Sequence, residues 1–192
     1  MNPSVKILKT EILSDDWYVL RKHTIEHRSR TGTTRVYSRE AYDRGNGATI
    51  LLYNRSAATV LLTRQFRLPT FLNGNPTGLL IESCAGLLDA QEPIECVRRE
   101  VQEETGYAIH DVTKILEVYM SPGSVTELLH FFVGEYSTDL KTHPGGGVAE
   151  EHEEIETFEL RFSEALAMIG RGEIRDAKTI LLLYHARLTG LL

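Results

Sequence analysis

Arg99-Glu100-Val101-Gln102-Glu103-Glu104-Thr105-Gly106 governs how the rest of this chain is read, and it begins thirteen positions after Gly86 in Ala85-Gly86-Leu87-Leu88-Asp89. Pro93 suits a first helical position and Gly106 a C-terminal cap, so the spacing predicts a helix over 93–105. On that helix Glu100 and Glu104 lie one turn apart with Glu103 beside them, and like charges so placed destabilise a helix unless a cation offsets them. Oxygen donors gathered in negative charge suit a hard divalent ion such as Mg²⁺, which keeps several waters and also binds substrate phosphates. The competing reading is a solvated acidic face, the usual fate of a charge run. Ile94, Val97 and Val101 weigh against it, because they form one helical stripe that puts Glu100 and Glu104 at the border of the buried face. Arg99 is spaced to pair with Glu95 and Glu103, one turn away on either side, which would fix a carboxylate in orientation.

Working outward, a chain of 192 residues with 42% hydrophobic and 25% charged residues is neither disordered nor membranous. No apolar run approaches the ~20 residues needed to span a bilayer. The opening Met1-Asn2-Pro3-Ser4-Val5-Lys6 lacks the basic-then-apolar design of a signal peptide, so a cytoplasmic location is expected. A net charge of −6 argues against a general nucleic-acid surface but not against nucleotides, since a metal can bridge acidic protein and acidic substrate. The two cysteines, Cys84 and Cys96, flank the glycine segment and are read as small buried apolar residues.

Trp17 to His27 and Thr34 to Tyr42 read as two strands of a hairpin turned at Thr31-Gly32. His23-Thr24-Ile25-Glu26-His27 has the His-x-x-Glu-His spacing of one class of zinc protease. On a strand those histidines stand roughly 13 Å apart at about 3.3 Å per residue, so the zinc reading is rejected. Beyond Asn46, Ala48 to Tyr53 and Thr59 to Phe66 read as a buried hairpin, and Leu79 to Cys84 as a strand running into a loop at Gly86. Ile115 to Met120, Glu127 to Tyr136 and Glu154 to Leu160 read as further strands, and Phe162 to Met168 and Lys178 to Arg187 as helices. The expected fold class is α+β, helices against a mixed sheet, preceded by a small β-hairpin subdomain; the expected division is 1–45 and 46–192.

The segment from Gly86 to Gly106 resembles the Nudix box, whose pattern is supplied here by Gly86, Glu92, Arg99, Glu100, Val101, Glu103, Glu104 and Gly106. It departs from the box in one respect, since six residues rather than seven separate Glu92 from Arg99. Gln65-Phe66-Arg67, Glu82-Ser83-Cys84-Ala85-Gly86, Ser121-Pro122-Gly123-Ser124-Val125-Thr126-Glu127 and Gly172-Glu173-Ile174-Arg175-Asp176-Ala177-Lys178-Thr179 extend the likeness to the nucleoside-diphosphate-sugar pyrophosphatases of that superfamily. The resemblance implies an α/β/α sandwich and Mg²⁺-dependent hydrolysis of a nucleotide sugar, with Mn²⁺ a possible substitute. GDP-mannose, giving GMP and mannose 1-phosphate, is the substrate the likeness favours. ADP-ribose or another ADP-sugar is one alternative, and a non-catalytic nucleotide-sugar sensor is another.

Carried over by position, the resemblance makes Glu100, Glu104 and the carbonyl of Ala85 metal ligands and Glu103 an auxiliary one, with Arg99 orienting the box carboxylates. Gly86 and Leu87 match substrate-contacting positions, and a glycine allows close backbone approach to a phosphate. Gly145-Gly146-Gly147 reads as a flexible segment leading into an acidic run. Aligned through Glu154-Ile155, that run gives Glu153 as metal ligand and Glu151 as base; aligned from the glycines, Glu151 becomes the ligand. Arg67 matches a phosphate-contacting arginine, and its fork suits the task. Trp17, Ser38, Arg39 and Glu40 match positions near the nucleotide, and Glu127 and Lys178 match further substrate contacts. The N-terminal strands cannot bury both faces alone and are expected to pack on something else; the resemblance implies pairing with a second subunit, so a homodimer is expected, with Trp17 or Arg39 reaching into the partner's pocket.

Overall fold

The computed structural model of the chain describes residues 4–148 and 154–192. The described backbone forms two units: one of residues 4–46 with 119–128, and one of residues 47–118 with 129–148 and 154–192.

In the first unit, β1 (Ser4–Asp15), β2 (Val19–Arg28) and β3 (Thr34–Asp43) make an antiparallel sheet in the order β1-β2-β3. The expected hairpin is therefore the inner and outer strand of a three-stranded sheet. Roughly the first 45 residues read as extended chain, but β1 has no separate limits in that reading, because nearly all its residues are exposed and leave no buried face to mark it. His23 and His27 lie on strand β2, where they bond Thr10 and Tyr37 separately, in keeping with the rejection of a zinc motif. A short extension from residues 119–128 joins this unit: Tyr42 N donates to Ser124 O at 2.8 Å and Thr126 N to Tyr42 O at 3.1 Å.

The second unit is a seven-stranded mixed sheet built on β4 (Gly47–Asn54). β5 (Thr59–Phe66) and β9 (Leu128–Glu135) flank it, antiparallel and parallel respectively, and the main path runs β10-β5-β4-β9-β8 with β8 at Val112–Tyr119 and β10 at Glu156–Arg161. β4 and β5 pair only at their turn, through Leu52–Asn54. Beyond it they diverge, and the gap is filled by β6 (Leu79–Glu82) against β5 and β7 (Cys84–Leu87) against β4. The single expected strand over 79–84 is thus two, broken at Ser83, and Gly86 sits in a strand, not a loop.

β4 is buried along Gly47–Tyr53 because both faces are covered, which is why its sequence is a continuous apolar run. Ile50 and Leu52 pack with Val97 and Val101 of α2 (Pro93–Thr105), and alternation sends Leu51 to the other face. There α4 (Ala177–Thr189) packs on β4, burying Leu182, Leu183 and Ala186, and α3 (Phe162–Gly170) packs on α4 and β10. A short α1 (Leu68–Leu72), begun by Pro69, follows β5 and was not foreseen. Helices on both faces of a mixed sheet agree with the expected class.

Candidate active site

α2 has the limits its sequence signals: Pro93 stands in its first turn and Gly106 ends it at φ 77°, its amide donating to Gln102 O. The connection before it closes as a tight turn, with Asp89 and Ala90 both at positive φ and Gln91 N donating to Leu88 O at 2.6 Å; the six residues between Glu92 and Arg99 belong to α2 itself, not to a loop. Cys96, Val97 and Val101 anchor one side of the helix in the core. That anchoring carries the acidic edge inward further than expected. Glu100 is 8% exposed and Glu104 1%, so neither is a border residue.

The carboxylate of Glu100 lies against the backbone of β7. A Cβ built on Gly86 would stand 1.9 Å from Glu100 Oε1 and 2.1 Å from its Cδ. Glycine is required here because the acid occupies the volume a side chain would take. Arg99 fans across the edge: its Nη2 donates to Glu100 Oε1 and its Nη1 to Glu103 Oε2, each at 2.7 Å, and its Nε to Gln91 at 3.2 Å. The expected pair with Glu95 does not form, since Glu95 bonds Arg98 at 2.9 Å, on the outer side of the helix. Glu104 meets the Cys84 thiol, which burial pushes well above its usual range and which the Glu104 and Glu100 carboxylates push the same way. Cys96 is raised to about 11, first by burial and then by Glu100, and its Sγ donates to Leu87 O at 3.2 Å. Both cysteines are buried as expected, yet they back the acidic edge rather than merely filling the core.

The donor set fits a hard divalent ion, since two buried carboxylates and the Ala85 carbonyl are all oxygen donors and buried like charges need a compensating cation. Ala85 is fixed by β7, where it stands opposite Thr49. Among the described residues no three His, Cys, Asp or Glu side chains gather closely enough to hold a metal by themselves. Glu151 and Glu153 lie outside the described residues. The segment leading to them is not the flexible spacer expected. Gly145, Gly146 and Gly147 take φ of 76°, 118° and 85°, and the amides of Gly146 and Gly147 donate to the carbonyls of Glu104 and Glu103 at 2.8 and 3.1 Å. A Cβ at Gly145 would come 2.5 Å from Glu104 O. The glycines are there to cap the end of α2 at close range. From the other side, Ile155 N returns to Gly146 O at 3.1 Å and Thr157 Oγ1 donates to Glu104 O at 3.0 Å.

A second charged group stands in the same unit. Arg67, just past the end of β5, and Lys178, in the first turn of α4, both bond Glu82, which is 3% exposed at the end of β6. Burial opposes the charged form of Arg67, yet Glu82 and, behind it, Glu104 and Asp176 raise its pKa. Burial likewise penalises the ionised Glu82, but Lys178 and Arg67 outweigh it and hold the carboxyl below its usual range. Glu82 is a residue that sequence reasoning passed over; the signal was present, a lone acid at the end of an apolar strand.

Trp17, Ser38, Arg39, Glu40 and Glu127 belong to the first unit. Trp17 is 78% exposed in the turn between β1 and β2, beyond the strand expected to include it, and meets Tyr18 edge-on. Ser38 bonds Thr24 at 3.0 Å, the Arg39 guanidinium lies 4.7 Å from the Tyr37 ring centroid, and Glu40 stands opposite Lys22. Glu127 pairs with Arg44 at 3.6 Å, and Arg44 lies 5.5 Å from the Tyr18 ring centroid.

Comparisons with known proteins give the family. Residues 43–183 match the model of the NUDIX domain, and residues 4–42 match that of the GDP-mannose pyrophosphatase NudK N-terminal domain. Curated relatives described as GDP-mannose pyrophosphatase include those of Pectobacterium atrosepticum, 53% identical over 99% of this chain and 97% of the relative, and Yersinia enterocolitica, 54% identical over the whole of both. The one from Klebsiella pneumoniae is 52% identical over all of this chain and 96% of its own. Among solved structures, one described as an ADP compounds hydrolase superposes with a TM-score of 0.71 at 18% identity, covering 97% of this chain and 95% of the other, which bears on the fold alone. With Glu100 of the box packed against Gly86, the NUDIX model matched over residues 43–183 and full-length relatives above 50% identity, the chain belongs to the NUDIX family.

Proposed function

We propose that this NUDIX protein hydrolyses the pyrophosphate bond of GDP-mannose to GMP and mannose 1-phosphate, with Mg²⁺ as its working ion and Mn²⁺ as a substitute. The observation that carries the substrate is the likeness to enzymes of that description, which runs through the N-terminal sheet as well as the NUDIX part. In support of hydrolysis rather than mere binding, the acidic edge of α2 is complete, and Arg67 and Lys178 add two cations for the phosphates of a diphosphate ester.

Glu100, Glu104 and the Ala85 carbonyl would hold the ion, with Glu153 as the further carboxylate. Once bound, Mg²⁺ supplies charge withdrawal from the diphosphate and an acidified water. Arg99 keeps Glu100 and Glu103 turned toward one another, so the carboxylates need not reorganise when substrate arrives. Glu151 accepts the proton of the attacking water, and no covalent enzyme intermediate forms. Arg67 takes phosphate oxygens through its fork, Lys178 adds a point charge, and Gly86 with Leu87 lets the backbone come close. Trp17 stacks on the base, Glu40 accepts hydrogen bonds from it, and Ser38, Arg39 and Glu127 complete recognition. On this reading residues 1–45 are a recognition and pairing module and 46–192 the hydrolase. The active form is a homodimer, a reading supported by β1, which leaves Val5, Ile7, Ile12 and Leu13 largely exposed.

The test is incubation with Mg²⁺ and GDP-mannose, ADP-ribose, ADP-glucose or UDP-glucose in ¹⁸O-labelled water, followed by product masses. GMP and mannose 1-phosphate are expected as the fastest-formed products, and the labelled one identifies the attacked phosphorus. Faster turnover of ADP-ribose would replace the substrate, and turnover of none would favour the sensor. Dialysis against EDTA is expected to abolish turnover, and either Mg²⁺ or Mn²⁺ to restore it.

A further inference from the structure

Arg67 and Lys178 come from elements more than a hundred residues apart in the chain, and two cations brought together repel. What keeps them adjacent is Glu82. Its Oε2 accepts from Arg67 Nε at 2.7 Å and its Oε1 from Lys178 Nζ. Lys178 is held a second time by Asp176 Oδ1 at 3.1 Å. Asp176 is in turn fixed, because its Oδ2 accepts from Thr179 N at 3.0 Å at the start of α4 and from Thr179 Oγ1 at 2.6 Å. Thr179 Oγ1 also accepts from Ser83 N at 2.6 Å, and Ser83 joins β6 to β7. The chain of bonds therefore runs from the cations, through one turn of α4, to the strand that carries Ala85 and Gly86.

Two features separate this cluster from an ordinary ion pair. Its charges sum to zero, two acids against two bases, so burying it leaves no net charge in the core. Among the described residues Arg67 is hydrogen-bonded through its inner nitrogen, and it keeps 38% of its side chain exposed, which leaves the terminal fork for a bidentate contact with an anion.

We propose that Glu82 is a positioning residue for diphosphate recognition: it sets Arg67 and Lys178 side by side as one anion clamp, without itself touching the substrate. The proposal rests on the reading that this site takes a diphosphate ester. A carboxylate is the group for this task because its two oxygens can be divided between two donors; glutamine offers one acceptor and no charge. A buried ion pair that served stability alone would lower folding stability when broken yet leave anion affinity intact.

The experiment is a double-mutant cycle on the full chain, read by calorimetric binding of inorganic pyrophosphate and by KM and kcat for the preferred nucleotide sugar. Glu82→Gln is expected to raise the pyrophosphate Kd and the KM about tenfold, as loss of a charge-assisted bond would, with a smaller change in kcat. In an Arg67→Ala background the same change is expected to cost less than about twofold, because the residue it positions is gone. Glu82→Asp, which keeps the charge, is expected to recover part of the affinity. Equal losses in both backgrounds, or a folded Glu82→Gln with unchanged pyrophosphate affinity, overturn the proposal. If Glu82→Gln does not fold, Arg67→Lys serves, since it keeps the cation but not the Nε bond. A loss of about fivefold or more in pyrophosphate affinity is expected, and an unchanged affinity overturns the proposal. Pyrophosphate binding by the unsubstituted chain is independent of turnover, so failure of the clamp and failure of the hydrolase reading are told apart.

Discussion

At Gly86 the smallest side chain sits against one of the most consequential acids, and the two predict each other. Adding a methyl group there places carbon 1.9 Å from Glu100 Oε1, so Gly86→Ala must push the carboxylate away. Misplacement by an ångström can cost on the order of a hundredfold in rate, and Gly86→Ala is expected to lose most turnover while its circular dichroism stays that of the parent. Glu104→Gln, nearly the same in shape, is expected to cost at least ~100-fold in turnover with the fold kept, by analogy with other groups that act in the transition state. Retained turnover would reject the metal assignment. Glu82 adds a pH dependence. Its folded-state pKa lies below the ordinary value of 4.5, so the stability it contributes is present above that value and lost as pH falls through the folded pKa. Thermal melts from pH 6 downward are expected to show a loss of stability below about pH 4.5 that is smaller in Glu82→Gln.

At the scale of elements, the two ends of α2 are governed differently. Its start follows from local chemistry, a proline in the first turn. Its finish is shared with a distant segment, since Gly146 and Gly147 cap Glu104 and Glu103 across some forty residues of chain. Gly145→Ala would set a methyl carbon 2.5 Å from Glu104 O at a φ of 76°, which glycine tolerates and alanine does not. A stability loss of about 1–3 kcal/mol is expected from denaturant titration, and on the proposed roles of Glu151 and Glu153 turnover is expected to fall with it. A loss of stability with turnover unchanged would separate the cap from the catalytic segment. α4 is begun by Asp176, which accepts from the Thr179 amide at 3.0 Å. The helix limits of α2, α3 and α4 were legible because periodicity and caps are local. The division of one strand into β6 and β7 was not, because it exists only to satisfy two different neighbours, β5 and β4.

For the molecule as a whole, the prediction to test is the proposed pairing through the N-terminal sheet. Analytical ultracentrifugation is expected to find a dimer, and a fully active monomer would remove the pairing reading. Among the described residues no helix is long and apolar enough to cross a membrane. The acidic edge of α2 and the family likeness were in the sequence, because a helix writes its faces into a spacing of three and four and the box residues lie within one stretch. What only the tertiary structure decided is how deep Glu100 and Glu104 lie, that Gly86 makes room for one of them, and that Arg67, Glu82 and Lys178 form one charged group. Those facts join residues from four elements and the junction of β5 with α1, and distances between elements are set by how the sheet and helices pack, which no local pattern of side chains records.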